Sequence, residues 1–417
     1  MSKENKLIPE LRFPEFEKDG EWVEKRLVKL AKRVLEKNKD GKIKTVFTNS
    51  ANDGIVDQRD YFDKDIANKK SLENYYIVEN GDYVYNPRIS AHAPVGPISK
   101  NRLGKTGVMS PLYTVFRFND NNNDFYEYYF QTHHWYSSIR KISNTGARFD
   151  RVSITASDFM KIPVLYTNPQ EQQKIASCLS SLDELIAAHK DKLQALKDHK
   201  KGLMQNLFPQ EGQKVPNYRF PEFRKDGEWV EKELGEVARI ITGSTPSTKV
   251  PEYYGGDIMF VSPADISNNK YVESTEKTLT IAGFEKTRKV KSNSVMFVCI
   301  GSTIGKVAMN KFDCATNQQI NSLVPNNENS SDFLYSNLEL NASNISGIAG
   351  NQAVPIINKT LFSSVKLKFP PNIQEQQKIA SCLSALDEII TAQTEKIEQL
   401  LQHKKGLMQG LFPKIEN

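Results

Sequence analysis

The sequence predicts two mixed α/β (α+β) domains, joined by two long antiparallel coiled-coil helices with pseudo-two-fold symmetry. Two observations predict this fold. Two blocks of sequence occur twice along the 417-residue chain, about 205 residues apart, and the inserts between them are almost equal in length but unlike in sequence. The second block carries apolar residues at a 4-3-4-3 spacing, which is the 3.5-residue period of a coiled coil.

The first repeated block opens each half of the chain. Arg12-Phe-Pro-Glu-Phe recurs from Arg219, and Lys18-Asp-Gly-Glu-Trp-Val-Glu-Lys recurs from Lys225. The copies are separated by 207 residues and are nearly identical. A segment kept this closely in two places indicates a structural role that both halves share.

The second repeated block closes each half. Gln170-Glu-Gln-Gln-Lys-Ile-Ala-Ser-Cys-Leu-Ser recurs from Gln374, and each copy continues to a Leu-Phe-Pro ending. The inserts cover about residues 28–168 and 235–372 and differ along most of their course. Nearly identical blocks around unlike inserts indicate one scaffold that holds two different domains, and a duplicated domain whose loops drifted apart is the alternative.

The second block predicts one long helix in each half. Prolines bound both runs, Pro169 and Pro209 in the first and Pro371 and Pro413 in the second, as expected of residues that suit helix ends and break interiors. A helix of about 37 residues is roughly 55 Å long. The apolar residues of the predicted seam are Ile175, Leu179, Leu182, Ile186, Leu193, Leu196, Leu203, Ile379, Leu383, Leu386, Ile390, Ile397, Leu400 and Leu407.

Polar residues interrupt the seam at His189, Lys200, Gln393 and Lys404, and such positions commonly fix the register of a coiled coil. The direction of the helices follows from a linker of about ten residues between the first helix and the second copy of the first block. The second domain must begin near the end of the first helix, so the second helix must run back, with the domains at opposite ends of the rod. By the same reasoning, residues 12–25 should lie near the end of the second helix.

Both inserts read as mixed α/β modules. The β-rich runs are 75–78, 82–85 and 112–118 in the first insert and 258–261, 294–300 and 366–369 in the second, and helices are predicted at 126–142 and 332–340. The expected division of the chain is therefore a first domain with its N-terminal segment (1–168), the first helix (169–209), a linker with the second domain (210–372), and the second helix with the C-terminus (373–417).

Composition excludes several classes of protein. The longest apolar run, Val295 to Ile300, is far shorter than the roughly 20 residues that cross a membrane, and no apolar stretch near the N-terminus suggests a secretory signal. The four cysteines form no Cys-x-x-Cys pair, which argues against a disulfide scaffold and a zinc ribbon. We therefore expect a cytoplasmic protein without a metal site.

No motif for catalysis is present. Gly301-Ser-Thr-Ile-Gly-Lys306 is one residue shorter than a phosphate-binding loop, and Val307 replaces the Ser or Thr that would reach magnesium. His92, His133 and His134 lack partners at metal-ligand spacing. No set of nucleophile, base and orienting group can be assembled from motifs. The sequence predicts no catalytic residue and no cofactor in this chain.

The residues instead favour binding to nucleic acid. The chain has a net charge of +6, and residues 28–167 hold 21 Lys and Arg against 15 Asp and Glu, although such a cluster is usually only a solvated face. Phosphates attract Lys, Arg, Ser and Thr, and base edges attract Arg, Asn and Gln. The candidate DNA-binding residues are Arg88, Lys100, Arg102, Lys105, Arg140, Lys141, Arg148, Arg151, Ser244, Thr245, Arg288, Lys289, Lys291, Ser302, Thr303, Lys306, Gln318, Gln319, Asn351 and Gln352.

Several motifs together resemble one protein family. They are Pro169-Gln-Glu-Gln-Gln-Lys-Ile-Ala, Asn372-Ile-Gln-Glu-Gln-Gln-Lys-Ile-Ala, Leu-Asp-Glu at 182–184 and 386–388, Gly243-Ser-Thr-Pro-Ser, Tyr253-Tyr-Gly-Gly-Asp-Ile, Ile300-Gly-Ser-Thr-Ile-Gly-Lys-Val and Thr316-Asn-Gln-Gln. Over essentially its whole length, the chain resembles the specificity (S) subunit of type I restriction-modification systems. The first insert lacks the Gly-x-Thr-Pro-Ser opening found in the second.

The resemblance implies a function. Each insert would be a target-recognition domain that reads one half of an asymmetric bipartite site in double-stranded DNA, and the helix pair would set the spacer. The chain would be a non-catalytic subunit that directs two modification (methyltransferase) subunits and the restriction (translocase/nuclease) subunits. The complex would be a type I site-specific deoxyribonuclease and adenine-N6 DNA methyltransferase, with S-adenosylmethionine, ATP and Mg²⁺ in the partners.

Two other functions stay open from the residues alone. One is a stand-alone DNA methyltransferase or nuclease, and the other is a coiled-coil scaffold without DNA specificity. The sequence does not give the bases that are read, the spacer length or the methylated adenines.

Overall fold

The computed structural model describes residues 6–61, 69–143, 150–267, 269–350 and 354–414. The chain divides into two compact units, one formed by residues 1–187 with 398–417 and the other by residues 188–397. Each unit contains one of the predicted domains and part of both long helices. The predicted candidates Arg148, Asn351 and Gln352 lie outside the described residues.

The first domain is built on a four-stranded sheet of order β2-β9-β6-β7, with the small pairs β1-β10, β3-β4 and β5-β8. Its strands are β1 (Val23–Arg26), β2 (Ala31–Arg33), β3 (Phe47–Ser50), β4 (Gly54–Asp57), β5 (Tyr76–Val78), β6 (Tyr83–Tyr85), β7 (Ile98–Lys100), β8 (Gly107–Met109), β9 (Thr114–Phe118) and β10 (Pro163–Tyr166). The helices are α1 (Leu27–Leu30), α2 (Gln58–Tyr61), α3 (Asp124–Tyr129), α4 (Tyr136–Ile142), α5 (Ala156–Phe159) and the long α6 (Pro169–Leu207).

The second domain has a five-stranded sheet of order β12-β20-β17-β18-β14, a four-stranded sheet of order β15-β13-β19-β16, and the pair β11-β21. Its strands are β11 (Val230–Glu233), β12 (Ala238–Thr242), β13 (Tyr254–Val261), β14 (Tyr271–Val272), β15 (Lys277–Leu279), β16 (Lys289–Val290), β17 (Val295–Val298), β18 (Val307–Asn310), β19 (Cys314–Thr316), β20 (Ile320–Pro325) and β21 (Lys366–Phe369). The helices are α7 (Leu234–Val237), α8 (Ile281–Phe284), α9 (Ser331–Gly347), α10 (Lys359–Ser363) and the long α11 (Ile373–Leu411).

The two domains share one topology. The order β2-β9-β6-β7 in the first corresponds strand by strand to β12-β20-β17-β18 in the second, and these neighbours all pair antiparallel. The pair β1-β10 likewise corresponds to β11-β21, and each pair joins the first repeated block to the strand just before a long helix. The prediction of one fold with two different contents is confirmed.

One helix prediction was wrong. Residues 126–142 were expected to form a continuous helix, but the chain forms α3 and α4 with a turn between them. Trp135 in this turn is almost fully buried, and its Nε1 donates to the carbonyl oxygen of Phe130 at 3.1 Å. Burying this large side chain against the sheet outweighs the local preference for an unbroken helix.

The long helices α6 and α11 pack together as a pair, and each has 39 residues, or about 58 Å of helix. All the apolar residues of the predicted seam are buried or half-buried, whereas Leu185 and Ile389, off the seam, are 45% and 51% exposed. Burial of a continuous apolar stripe is what stabilises helices of this length, because propensity alone contributes little.

The helices run antiparallel in both units, as predicted. In the first unit, Lys404 near the end of α11 contacts Asp183 near the start of α6, with 2.6 Å between Nζ and Oδ1. In the second unit, Lys200 near the end of α6 contacts Asp387 near the start of α11, with 2.7 Å between the same atoms. Each lysine that interrupts the apolar seam therefore reaches an aspartate on the opposite helix.

The remaining polar seam positions also meet. In the second unit, Gln393 is buried and its Nε2 donates to the carbonyl oxygen of His189 at 2.8 Å. Lys200 also contacts Glu339 on α9 at 2.7 Å. Burial by itself would lower the pKa of Lys200, but the carboxylates of Glu339 and Asp387 raise it above the usual value. A shifted register would leave these polar groups buried without partners, so they favour a single alignment.

Contacts between the first and second repeated blocks explain why both blocks occur in each half of the chain. In the first unit, Arg12 donates twice to the buried carboxylate of Glu171, at 2.7 and 2.9 Å, and Trp22 Nε1 donates to it at 3.2 Å. In the second unit, Arg219 and Trp229 contact Glu375 in the same way. The repeated Gln-Glu-Gln-Gln motif thus supplies the carboxylate acceptor that binds each first block to a long helix.

The start of the chain lies near the end of α11, as predicted. The backbone N–H of Leu11 donates to the carbonyl oxygen of Gly410 at 2.8 Å, and the rings of Trp22 and Phe412 are 6.0 Å apart. The linker repeats this contact in the other unit, where the backbone N–H of Tyr218 donates to the carbonyl oxygen of Asn206 at 2.9 Å. Each first block therefore packs against the end of one long helix and the start of the other.

Candidate nucleic-acid interface

The shared sheet brings several loops to one edge in each domain, which we call the loop edge. In the first domain, β6 ends beside the beginning of β9, where Tyr85 pairs with Thr114. In the second domain, β17 ends beside the beginning of β20, where Val298 pairs with Ile320. Because these strands are antiparallel, the loop that follows one strand meets the loop that precedes its neighbour. Loops carried on such a rigid edge are common sites of binding.

At the loop edge of the second domain, the predicted Ser244, Thr245, Arg288 and Gln318 come together. The Thr245 hydroxyl donates to Gln318 Oε1 at 2.7 Å, and the backbone N–H of Arg288 donates to Ser244 Oγ at 2.9 Å. Gly243 permits this approach, because a Cβ atom there would lie 2.0 Å from the carbonyl oxygen of Asn317. The loops are thus locked together while Gln318 stays exposed.

Gln319, Ser302 and Thr303 extend this loop edge. Gln319 Nε2 donates to the carbonyl oxygen of Ile300 at 3.3 Å, which links the loop before β20 to the loop after β17. Ser302 follows directly and is exposed, and Thr303 is half-buried in the same turn. The edge of the second domain is therefore rich in uncharged hydroxyl and amide groups.

The other predicted cations of the second domain have partners of their own. Lys306 Nζ donates to the carbonyl oxygens of Pro263 and Ile266, at 3.2 and 2.7 Å. Lys289 pairs with Glu285, and Lys291 pairs with Asp313 at 3.1 Å. The backbone N–H of Ser292 donates a hydrogen bond to Asp313, and Lys291 donates another. Together these bonds lower the pKa of Asp313 below its usual value. These lysines serve local structure in the free chain.

At the loop edge of the first domain, Arg88 and Arg151 lie side by side, because their backbones form an isolated antiparallel bridge. Asp150 contacts both guanidinium groups, at 4.0 Å from Arg88 and 3.4 Å from Arg151. The Arg88 side chain is 70% exposed, and the Arg151 side chain is 26% exposed. One carboxylate shared by two arginines leaves positive charge at this edge, which suits a phosphate.

A cavity of about 320 Å³ lies beside these arginines. Uncharged residues that the sequence analysis did not single out, including Thr48, Asn49, Asn86 and Tyr113, form much of its lining. Uncharged residues such as these are not predicted by charge. The only sequence signal was the polar run Thr48-Asn-Ser between a β-rich stretch and a turn.

Lys100, Arg102 and Lys105 form ion pairs within the first domain. Lys100 is buried, and its Nζ lies 2.8 Å from Asn123 Oδ1 and 2.5 Å from Asp124 Oδ1. Arg102 contacts Glu127 and Asp124, each at 2.6 Å, and Lys105 contacts Asp57 at 2.7 Å. Burial would raise the pKa of Asp124, but the hydrogen bond from Lys100 and the charge of Arg102 lower it instead.

Arg140 and Lys141 occupy the last turn of α4, and both are exposed.

Within the described ranges, His, Cys, Asp and Glu form no group that could hold a metal ion. In the same part of the chain, no helix combines the length and apolar character needed to cross a membrane.

The profile of the type I restriction modification DNA specificity domain matches residues 21–198 and again residues 226–402. The chain belongs to this family. Each match begins in a first repeated block and ends within a long helix, so the two copies follow the duplication.

Individual members of the family are distant relatives of this chain. The MjaIX specificity subunit of Methanocaldococcus jannaschii is 28% identical over 194 residues, 45% of each chain. The HindI specificity subunit of Haemophilus influenzae is 32% identical over 147 residues, 34% of this chain and 32% of that one. The EcoR124I/EcoR124II specificity subunit of Escherichia coli is 30% identical over 188 residues, 43% of this chain and 46% of that one. The chain thus matches less than half the length of each.

Solved structures support the fold. The S subunit of a type I restriction-modification system from M. genitalium superposes with a TM-score of 0.62 at 14% identity, covering 98% of this chain and all of that one. A chain from a study of the assembly and conformational transition of the type I system superposes with a TM-score of 0.54 at 14% identity, covering 94% and 97% of the two chains. At this identity, the likeness establishes architecture alone.

Proposed function

We propose that this chain is the specificity subunit of a type I restriction-modification complex, in which each domain reads one half of an asymmetric bipartite site in double-stranded DNA. One observation carries the proposal. The two domains share a sheet order and a loop edge, but the edge of the first carries the adjacent arginines Arg88 and Arg151, whereas amides and hydroxyls form most of the edge of the second. A common fold with different edge chemistry is what two readers of different sequences require.

The chemistry of the edges supports contact with DNA. Arg88, Arg151 and Arg288 can bind phosphates or guanine, and Gln318 and Gln319 can bind adenine. Arg140 and Lys141 add exposed charge in the first domain. The lysines and arginine that already have carboxylate partners, Lys100, Arg102, Lys105, Lys289 and Lys291, would need to exchange those partners for phosphates, and Lys306 would need to leave its two carbonyl oxygens.

The helix pair would set the spacer between the half-sites. The helices α6 and α11 are continuous elements of 39 residues that contribute to both units. Their length of about 58 Å corresponds to roughly 17 base pairs at 3.4 Å each. The functional modules would be residues 1–168, 169–209, 210–372 and 373–417, as the sequence suggests.

The chain itself would be non-catalytic and would direct partner subunits. The duplicated helix segments His199-Lys-Lys-Gly-Leu-Met-Gln and His403-Lys-Lys-Gly-Leu-Met-Gln offer the same residues twice, which supports binding of two copies of one modification subunit. Restriction subunits would join the same complex. S-adenosylmethionine, ATP and Mg²⁺ would be bound by these partners, and the complex would act in the cytoplasm, where the DNA is.

Methylome sequencing of a host that carries this chain with its modification partner tests the proposal. We expect methylated adenines in one bipartite asymmetric motif. Methylation in a continuous motif, or in no motif, would reject two-domain reading. Transfer of labelled methyl groups to DNA by the purified chain alone would show that it is an enzyme rather than a specificity subunit.

A further inference from the structure

A short turn at the loop edge of the first domain directly precedes β9. The backbone N–H of Tyr113 donates to the carbonyl oxygen of Ser110 at 3.0 Å and closes the turn. The backbone N–H of Leu112 donates to the side-chain oxygen of Ser110 at 3.4 Å. The Tyr113 hydroxyl also shares a hydrogen bond of 3.1 Å with the hydroxyl of Thr48 on β3. The turn is therefore fixed both to itself and to a neighbouring strand.

The second domain has the same turn directly before β20. The backbone N–H of Ile320 donates to the carbonyl oxygen of Asn317 at 3.2 Å, and the backbone N–H of Gln319 donates to Asn317 Oδ1 at 3.0 Å. The two turns lie 207 residues apart along the chain, as do the copies of the first repeated block. The inserts are unlike in sequence, but this turn occupies the same place in both.

The side chains at the tips of the two turns differ in chemistry. The tip of the first turn is Pro111-Leu112, and the tip of the second is Gln318-Gln319. The amides of the second tip can donate and accept hydrogen bonds, whereas the side chains of the first tip can do neither. One backbone therefore presents hydrocarbon in the first domain and amides in the second. Such a position can change what a domain contacts without changing how the domain folds.

Leu112 extends from the turn into solvent beside a cation. Its exposed fraction is 64%, and it lines the same cavity as Arg88, whose side chain is 70% exposed. A single exposed leucine is common on protein surfaces and by itself indicates nothing. This leucine, however, is held on a fixed turn next to a guanidinium group that can bind a phosphate.

The chemistry of leucine restricts which base it could recognise. In the major groove, the edges of guanine, cytosine and adenine present donors and acceptors, and thymine adds its C5-methyl group. Leucine offers no hydrogen bond, so contact with a polar base edge would displace water from groups that it cannot satisfy. Contact with a methyl group carries no such cost and removes apolar surface from water. Thymine is therefore the base that Leu112 suits.

We propose that Leu112 reads one thymine of the half-site bound by the first domain, by packing against its C5-methyl group in the major groove while Arg88 binds a nearby phosphate. This inference rests on the proposed DNA-reading function and adds a base and a specificity-determining residue to it. The same turn with Gln318 and Gln319 at its tip reads a different base in the other half-site.

Selection from a random DNA library finds the thymine. The full chain, assembled with its modification partner, binds duplexes from the library, and the bound sequences are read. Leu112→Gln places an amide of similar size at the tip and should lose the preference for thymine at one position of one half-site. Leu112→Met keeps an apolar side chain and should keep that preference. The half-site of the second domain should be unchanged in both variants, which shows that the assembly is intact.

Leu103→Gln is the matched control. Leu103 is an exposed leucine of the same domain, and it follows β7 at the opposite edge of the sheet, where Lys100 pairs with the first residue of β6, Tyr83. The same substitution there should leave the whole motif unchanged.

Replacing the selected thymine by uracil tests the methyl group alone. Uracil differs from thymine only in lacking the C5-methyl group, so all hydrogen-bonding groups of the base pair are kept. We expect the wild-type assembly to bind the uracil duplex about four-fold more weakly, which is the effect of one buried methyl group. The Leu112→Gln assembly should bind the thymine and uracil duplexes equally.

The outcomes separate this inference from the proposed function. If the wild-type assembly selects no motif, both are rejected. If it selects a bipartite motif that Leu112→Gln leaves unchanged, or if the altered position is not a T·A pair, the thymine contact alone is rejected. Equal binding of thymine and uracil by the wild-type assembly would also overturn it, as would an identical change of the motif in Leu103→Gln.

Discussion

Replacing Glu171 with alanine should destabilise the first unit of the chain and leave the stability of the second unchanged. Glu171 is 1% exposed and accepts hydrogen bonds from Arg12, Trp22 and the hydroxyl of Thr167. The bond to this carboxylate raises the pKa of the Arg12 guanidinium, which stays charged at any pH of interest. The alanine variant would therefore leave a positive charge with a side chain that is 6% exposed and has lost its counter-ion.

The expected cost follows from this geometry. Removing one partner of a buried ion pair typically costs about 3–5 kcal/mol, because the other charge remains buried and uncompensated. For a unit of this size, 1 kcal/mol shifts the melting temperature by about 2–4 °C, so the loss corresponds to a shift on the order of 10 °C. Glu375→Ala removes the same contacts from the second unit and should have an effect of similar size there.

Calorimetry with hydrogen exchange measures both effects in the full-length chain. Glu171→Ala should increase exchange in residues of the first unit, and Glu375→Ala in residues of the second, each with one transition moved to lower temperature. Glu15→Ala, which removes an exposed carboxylate paired with Lys174, is the control and should change neither. A melting temperature unchanged in Glu171→Ala would refute the view that this carboxylate holds the repeated blocks together.

Three further predictions concern the helices and the domains. Deleting one heptad from each helix, residues 186–192 and 390–396, shortens the pair by about 10 Å, and methylome sequencing should show a spacer shorter by about 3 base pairs; an unchanged spacer would exclude the ruler. Exchanging residues 235–372 for the insert of another family member should change one half of the methylated motif, and a change in both halves would contradict independent reading. Because the pKa of Lys200 is raised above 10.5, its ion pairs stabilise the fold fully below the pKa of an unfolded lysine and less as pH rises through the folded value. The difference in free energy of unfolding between wild type and Lys200→Met should therefore shrink above about pH 10.5 in urea titrations, and a constant difference would contradict this account.

The long helices and their direction could be predicted because their signals are local and repeated. A 3.5-residue apolar period bounded by prolines predicts a long helix from one segment alone, and a short linker restricts where the next domain begins. The break between α3 and α4 could not be predicted in this way. It depends on burying Trp135 against a sheet whose strands come from other parts of the chain.

The candidate interface was only partly predictable. Residue type could suggest Arg151 and Gln318, since charged and amide side chains bind nucleic acid wherever they are exposed. Type alone could not separate Lys100, which is buried against Asp124, from Arg88, which is exposed. Neither could it find Asn49, an uncharged residue of β3 that lines the cavity beside the arginines.

The duplication, the helical periodicity and the family motifs are properties of the linear chain, so the sequence alone sufficed for the scaffold and the family. The shared strand order of two unlike inserts and the gathering of the loops at one edge required the tertiary structure. So did the cavity beside Arg88 and Arg151. These features arise from contacts between residues far apart in the chain, and a hydrogen-bonding group is satisfied or left unmet only once its distant neighbours are in place.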